Sequence, residues 1–142
     1  MLLSEFILNI LNIKVEVIWK CSTIHPIITS NHVSELDPLL LLYALKNDKI
    51  RYIADAALKT IPFFNLICEN FDTIFIERNK DKAFETIAKQ LKKDDTVCIF
   101  PEGTLYYKSS IRRSNNYCKR IGVSKYRNVL APREAGFSKI QE

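Results

Sequence analysis

An α/β domain with a mostly parallel sheet flanked by helices is the fold this sequence predicts, and two observations carry the expectation. Short β-branched runs recur along the 142 residues, several closed by turn residues such as Pro101-Glu102-Gly103. Between them lie stretches with apolar residues at helical spacing, of which Ala83, Phe84, Ile87, Ala88 and Leu91 are the clearest. Strands and helices in alternation mean crossover connections, and crossovers make parallel neighbours. The length suits one domain, residues 1–142, with a real core.

The elements follow in order. Residues 1–13 begin apolar but carry Glu5 and no basic flank, so they do not read as a signal peptide. They suit either a helix in a membrane interface or an ordinary packing helix. Lys14–Trp19 alternates polar and apolar side chains, predicting a half-buried strand, and Ile24–Ser30 predicts a second strand. Leu39–Lys46 reads as helix, with Asp37 as its N-cap and Pro38 in the first helical position. Arg51–Ala54 reads as a strand, Ala56–Thr60 as a helical turn halted by Pro62, and Phe63–Asn70 as a further apolar helix. Thr73–Ile76 is a strand and Asp81–Lys93 an amphipathic helix. Thr96–Phe100 is a buried strand, and Ser109–Ile121 is a helix closed by Gly122. Asn128–Ala131 is a last strand, stopped by Pro132.

Charge narrows the partners. The net charge is +5, but residues 1–100 carry 12 Lys/Arg against 13 Asp/Glu, while residues 101–142 carry 9 against 3. A basic C-terminal third suits a phosphate-bearing substrate or an anionic lipid surface. No interleaving of basic and aromatic residues resembles a nucleic-acid module, so nucleic acid is not expected as a partner. Cys21, Cys68, Cys98 and Cys118 lie far apart and read as free thiols. No apolar run reaches the roughly 18–20 residues a spanning helix needs.

Residues suited to chemistry fall just after predicted strands: His32, Arg78, Glu102 and Pro132. In open α/β sheets ligands gather at the carboxyl ends of strands. His32 suits a general base, with Asp37 fixing its tautomer. The alternative is a surface histidine beside a helix-capping aspartate. Ser34 also fits a capping box with Asp37, but Pro38 would then stand at the fourth helical position, so Ser34 receives no catalytic role. Arg78 suits bidentate phosphate binding, or else a salt bridge with Glu77 or Asp81. Glu102 and Gly103 sit on a sharp turn where a backbone can meet a ligand, or where a chain merely turns. His25 is the only other imidazole, and no metal-ligand spacing appears.

Taken together, Asn31-His32-x-x-x-x-Asp37, Phe75-Ile76-Glu77-Arg78, Phe100-Pro101-Glu102-Gly103-Thr104 and Leu130-Ala131-Pro132-Arg133 resemble, in order, the four blocks of the glycerolipid acyltransferases. That family includes 1-acylglycerol-3-phosphate acyltransferase. Ser114, Gly122-Val123 and residues 130–137 look like its eukaryotic lysocardiolipin and lysophosphatidylinositol branch. The resemblance implies a glycerol-3-phosphate acyltransferase-like fold and acyl transfer from acyl-CoA to the hydroxyl of a lysophospholipid. It casts His32 as base, Asp37 as its partner, and Arg78 as the acceptor's phosphate ligand. Glu102, Gly103 and Thr104 form the acceptor-binding turn, and Pro132 a wall of the acyl-CoA site. It implies acyl-CoA as co-substrate with no cofactor or metal, and peripheral attachment to a membrane on its cytoplasmic face. Leu105 and Asn65 depart from the family's pattern. Family members also continue beyond the fourth block, so a C-terminally short domain is expected. The rival readings are a non-catalytic lipid-binding or scaffold remnant and, more weakly, a hydrolase without a convincing nucleophile.

Overall fold

Residues 3–18, 27–45, 49–61, 68, 71–77 and 80–133 are described by the computed structural model. The elements run α1 (Leu3–Ile10), β1 (Ile27–Thr29), α2 (Asp37–Leu45), β2 (Ile50–Asp55), a 3₁₀ turn (Ala56–Thr60), β3 (Ile74–Ile76), α3 (Lys80–Gln90), β4 (Thr96–Ile99) and α4 (Lys108–Ile121). The sheet order is β1-β4-β2-β3, and all three pairings are parallel.

β4 lies between β1 and β2, and Thr96, Val97 and Cys98 are all buried. A strand covered on both faces needs an uninterrupted apolar run rather than alternation, and its sequence supplies one. Burial also pushes the Cys98 thiol up to about 12, which makes it an inert packing group. The main cluster joins Leu8 of α1, Leu39 of α2, Ile50 and Tyr52 of β2, Phe71 and Cys98. Each large apolar side chain that leaves water there contributes about 1.5–3 kcal/mol. α1 packs on α2, burying Ser4 and Leu8 while Phe6, Ile10 and Leu11 face outward. The 3₁₀ turn is capped by Asp55, whose carboxylate accepts from the Ala57 N–H at 2.9 Å.

Two expected strands do not form. Residues 14–18 lie outside the sheet. Their alternation is that of an irregular segment on the core surface, with Ile13 and Val15 packed inward and Val17 and Ile18 exposed. Residues 128–131 are likewise irregular, the N–H groups of Leu130 and Ala131 going to side chains rather than to a neighbouring strand. Ala131 N–H donates to Ser114 Oγ at 2.8 Å and Arg133 N–H to the Pro101 carbonyl at 2.7 Å, while Pro132 has no N–H to give. The expected helix over residues 63–70 falls almost wholly outside the described residues, as does Arg78.

Candidate active site

Register brings the first two site residues together. Thr29 ends β1 opposite Ile99, which ends the parallel neighbour β4. His32 follows Thr29 by the same three residues that separate Glu102 from Ile99. A further ladder bond, from Ser30 N–H to the Ile99 carbonyl at 3.1 Å, carries the pairing one step beyond the strands. Both chains therefore leave the carboxyl edge side by side.

The turn between β1 and α2 folds His32 back onto Asp37. His32 Nδ1 lies 3.0 Å from Asp37 Oδ2, with the two side chains 20% and 17% exposed. The same carboxylate oxygen accepts from the backbone N–H groups of Val33 at 2.7 Å and Ser34 at 2.8 Å. Asp37 therefore does not cap α2. Its carboxylate reaches backward into the turn and ties down the residues that carry the histidine. Ser34 Oγ accepts from the Leu36 N–H at 3.1 Å, closing a small local turn. An oxygen that already accepts two N–H bonds also accepts from the ring, so Nδ1 carries the proton and Nε2 presents its lone pair.

Three further groups hold this geometry. The Phe100 ring stacks on the imidazole, centroids 4.1 Å apart and planes at 21°. Tyr106 N–H donates to the His32 carbonyl at 3.0 Å. Tyr52, reaching from β2, donates its hydroxyl to the Pro38 carbonyl at 2.7 Å and so fixes the start of α2. Burial pushes the Tyr52 phenol well above its ordinary 10.0, which keeps it a donor.

The second turn is built on Gly103. Its N–H donates to the Phe100 carbonyl at 3.0 Å with φ at +67°, a left-handed conformation that glycine adopts without strain. No atom lies within 4 Å of where a Cβ would stand, so the glycine answers to backbone conformation and leaves open space above it. Glu102 points the other way. It is only 5% exposed, and its Oε2 is buried with no hydrogen-bond partner among the described residues. Burial pushes its carboxyl up, opposed by the backbone N–H groups of Leu130 and His32 and by the nearby imidazole. Glu102 thus lies beneath the His32 turn, where it ties that turn to residues 130–133. Thr104 is half-buried and Pro132 exposed on the neighbouring segment.

The structure thus gathers His32, Asp37, Glu102, Gly103 and Thr104 at one edge of the sheet, with Pro132 anchored beside them through Arg133. β3, the strand preceding Arg78, ends at Ile76 on the same carboxyl edge, two strands from β4. Phe100, Tyr52 and Tyr106 are supports that sequence reasoning passed over, and Ser114, noted there only for the branch it resembles, is a fourth. Phe100 stood inside the third block, where it read only as the end of a strand. The other three act through contacts 14 or more residues away in sequence, a role with no local signal. A cavity of about 390 Å³ opens beside Asp37, lined by Val15, Val17, Ile18, Leu40, Leu41 and Ala44 among others. No group of metal-binding side chains occurs among the described residues.

Comparison with known proteins shows the family. Lysocardiolipin acyltransferase 1 of Danio rerio is 31% identical over 124 residues, covering 79% of this chain and 31% of the relative. Probable 1-acyl-sn-glycerol-3-phosphate acyltransferase 5 of Arabidopsis thaliana is 30% identical over 121 residues, 78% of this chain and 32% of the relative. A 1-acyl-sn-glycerol-3-phosphate acyltransferase of Borreliella burgdorferi is 33% identical over 82 residues, 55% of this chain and 32% of the relative. The chain spans about a third of the length of these relatives. No solved structure matches. The Acyltransferase family model matches residues 13–140, and the chain belongs to the glycerolipid acyltransferase family.

Proposed function

We propose that the protein transfers an acyl group from acyl-CoA to the free hydroxyl of a lysophospholipid at a membrane surface, with 1-acyl-sn-glycerol-3-phosphate as the first acceptor to try. The observation that carries the reading is the His32–Asp37 pair, 3.0 Å apart, with its carboxylate held by two backbone N–H groups. His32 Nε2 takes the proton of the acceptor hydroxyl as its oxygen attacks the thioester carbonyl. The tetrahedral intermediate collapses, the C–S bond breaks, and the imidazolium returns the proton to the CoA thiolate. Asp37 holds the imidazole in the required tautomer and stabilises its charged form. Its burial makes Glu102 a positioning residue under His32, so acceptor contacts fall to Gly103 and Thr104 on the open side of the turn. Arg78 takes the acceptor phosphate, and Pro132 lines the acyl-CoA side.

No metal or other cofactor enters this scheme, since a thioester is already activated toward attack. None of the described helices is long and apolar enough to cross a membrane; peripheral attachment at the cytoplasmic face belongs to the same proposal. The scaffold alternative rests on no observation here, since the dyad and its supports are intact.

The test is direct. Lysophosphatidate dispersed in detergent, with radiolabelled acyl-CoA, is expected to yield phosphatidate in the presence of the purified protein. Lysocardiolipin and lysophosphatidylinositol, assayed in parallel, rank the acceptors. Absence of product from every lysolipid would leave the non-catalytic lipid-binding reading standing.

A further inference from the structure

α4 and the segment after it differ from the rest of the surface in one respect. From Gly103 to Arg133 the sequence holds eight Lys/Arg and no Asp or Glu. α4 packs inward through Ser110, Ser114 and Cys118, a stripe at four-residue spacing, and Ser114 Oγ is the acceptor for Ala131 N–H. At 100° per residue, Lys108, Arg112, Arg113, Lys119 and Arg120 then fall on the opposite arc. All five are exposed, and Lys125 and Arg127 continue the same character beyond Gly122. Among the described residues none of these cations is paired with a carboxylate. α3, the other long surface helix, mixes its charges and pairs Glu85 with Lys89 at 3.9 Å. A merely solvated helix face has no need of single-sign charge, which repels itself.

Apolar side chains fringe the cations. Tyr107 precedes α4 and is 50% exposed, and Val123 and Tyr126 beyond its far end are 44% and 46% exposed. The face is also continuous with the site. Arg133, tied to the Pro101 carbonyl beside Glu102, lays its guanidinium 3.9 Å over the Tyr117 ring, which Arg120 approaches at 5.4 Å. Tyr107 reaches back to Glu35 in the His32 turn at 3.2 Å.

We infer that the basic face of α4, with residues 121–127, is the surface by which the protein docks on an anionic lipid bilayer. This rests on the reading of a membrane-delivered substrate and names the surface that does it. Cations at a bilayer surface attract anionic headgroups within roughly a Debye length, about 8–10 Å at physiological salt. Val123 and Tyr126, beyond the helix, enter the interface beneath the headgroups, where aliphatic and aromatic side chains are favoured. These apolar side chains, which a phosphodiester backbone does not call for, favour a bilayer over nucleic acid. Docking this face sets the His32 edge of the sheet at the level of the lipid headgroups.

Co-sedimentation of the full chain with vesicles of phosphatidylglycerol and phosphatidylcholine, against phosphatidylcholine alone, tests the inference without any turnover. Binding to the anionic vesicles is expected to exceed binding to neutral ones by about tenfold or more and to collapse in high salt. Arg112→Glu/Arg113→Glu should reduce anionic-vesicle partitioning by about tenfold, and Lys119→Glu/Arg120→Glu should do the same independently. Lys82→Glu/Lys89→Glu on α3 should leave it unchanged. Equal losses from the α3 pair, equal binding to neutral vesicles, or displacement from anionic vesicles by single-stranded RNA would overturn the proposal. His32→Ala is expected to dock like the wild type. Wild-type protein that docks but never transfers would overturn the catalytic reading while upholding the docking face.

Discussion

Two carboxylate–nitrogen pairs sit at opposite edges of the same sheet and are nearly equal in length. At the amino edge, Arg51 Nε lies 2.9 Å from Asp95 Oδ2; at the carboxyl edge, His32 Nδ1 lies 3.0 Å from Asp37 Oδ2. Their carboxylates are held alike, Asp95 by the Lys92 N–H at 2.9 Å and Asp37 by Val33 and Ser34. They differ in what is left over. Arg51 also binds the carbonyl and the carboxylate of Asp72, at 3.1 and 3.2 Å, and is 12% exposed. That pair is closed, its cation shared between two carboxylates and a carbonyl. The His32 pair leaves Nε2 without a bond among the described residues, beside a buried Glu102 oxygen that also lacks one. Distance alone therefore does not separate the closed pair from the one proposed to act in catalysis; the free ring nitrogen does.

The largest expected effects exchange between the two edges. His32→Ala should lower transfer by about 10²–10⁴-fold, the usual worth of a general base, and leave the thermal midpoint nearly unmoved. Arg51→Met should do the reverse. It leaves Asp95 buried without its cation, costing about 3 kcal/mol, or roughly 10 °C in Tm for a chain of this size, with activity per folded molecule retained. Calorimetry and a transfer assay on both variants check this. A stable but inactive Arg51→Met would break the distinction.

The amount of this legible in the sequence differs with distance along the chain. The parallel sheet followed from runs such as Thr96–Ile99, whose β-branched, doubly buried character is local. Asp37 was found as the partner of His32, but its carboxylate was expected to cap α2. Whether it bonds forward into the helix or backward to Val33 and Ser34 depends on turn geometry that no spacing encodes. Alternation at Lys14–Ile18 marked a segment half-covered by the core, yet alternation does not supply a strand partner. Residues 128–131 had β propensity, and a hydroxyl on α4 together with the Pro101 carbonyl took two N–H groups of residues 131–133. Glu102 was legible as a special residue and not as a buried one, because burial is set by how residues 130–133 close over it.

A smaller effect should appear in the pH dependence of stability, with opposite signs at the two edges. Burial raises the Glu102 carboxyl above 4.5, so the unfolded chain releases its proton first and stability falls as pH climbs from 4.5 through the raised value. Glu102→Gln should therefore gain on the wild type in Tm as pH rises through that window. At Asp95 burial pushes upward, but the Lys92 N–H and the Arg51 guanidinium outweigh it and hold the carboxyl below 3.8. Its contribution is present above 3.8 and is lost as pH falls through the lowered value. The Tm deficit of Asp95→Asn should accordingly shrink at the acid end. Parallel slopes for the two variants would contradict the assignment.

The most direct test of the account is a double-mutant cycle on the dyad. His32→Ala, Asp37→Ala and the double variant are compared by CoA release from acyl-CoA in the presence of lysophosphatidate. If Asp37 acts through the imidazole, its loss adds nothing once His32 is gone, and the double variant should match His32→Ala. Losses that multiply, with the double variant falling below His32→Ala by the full factor of Asp37→Ala, would show that the two residues act separately and would contradict the mechanism.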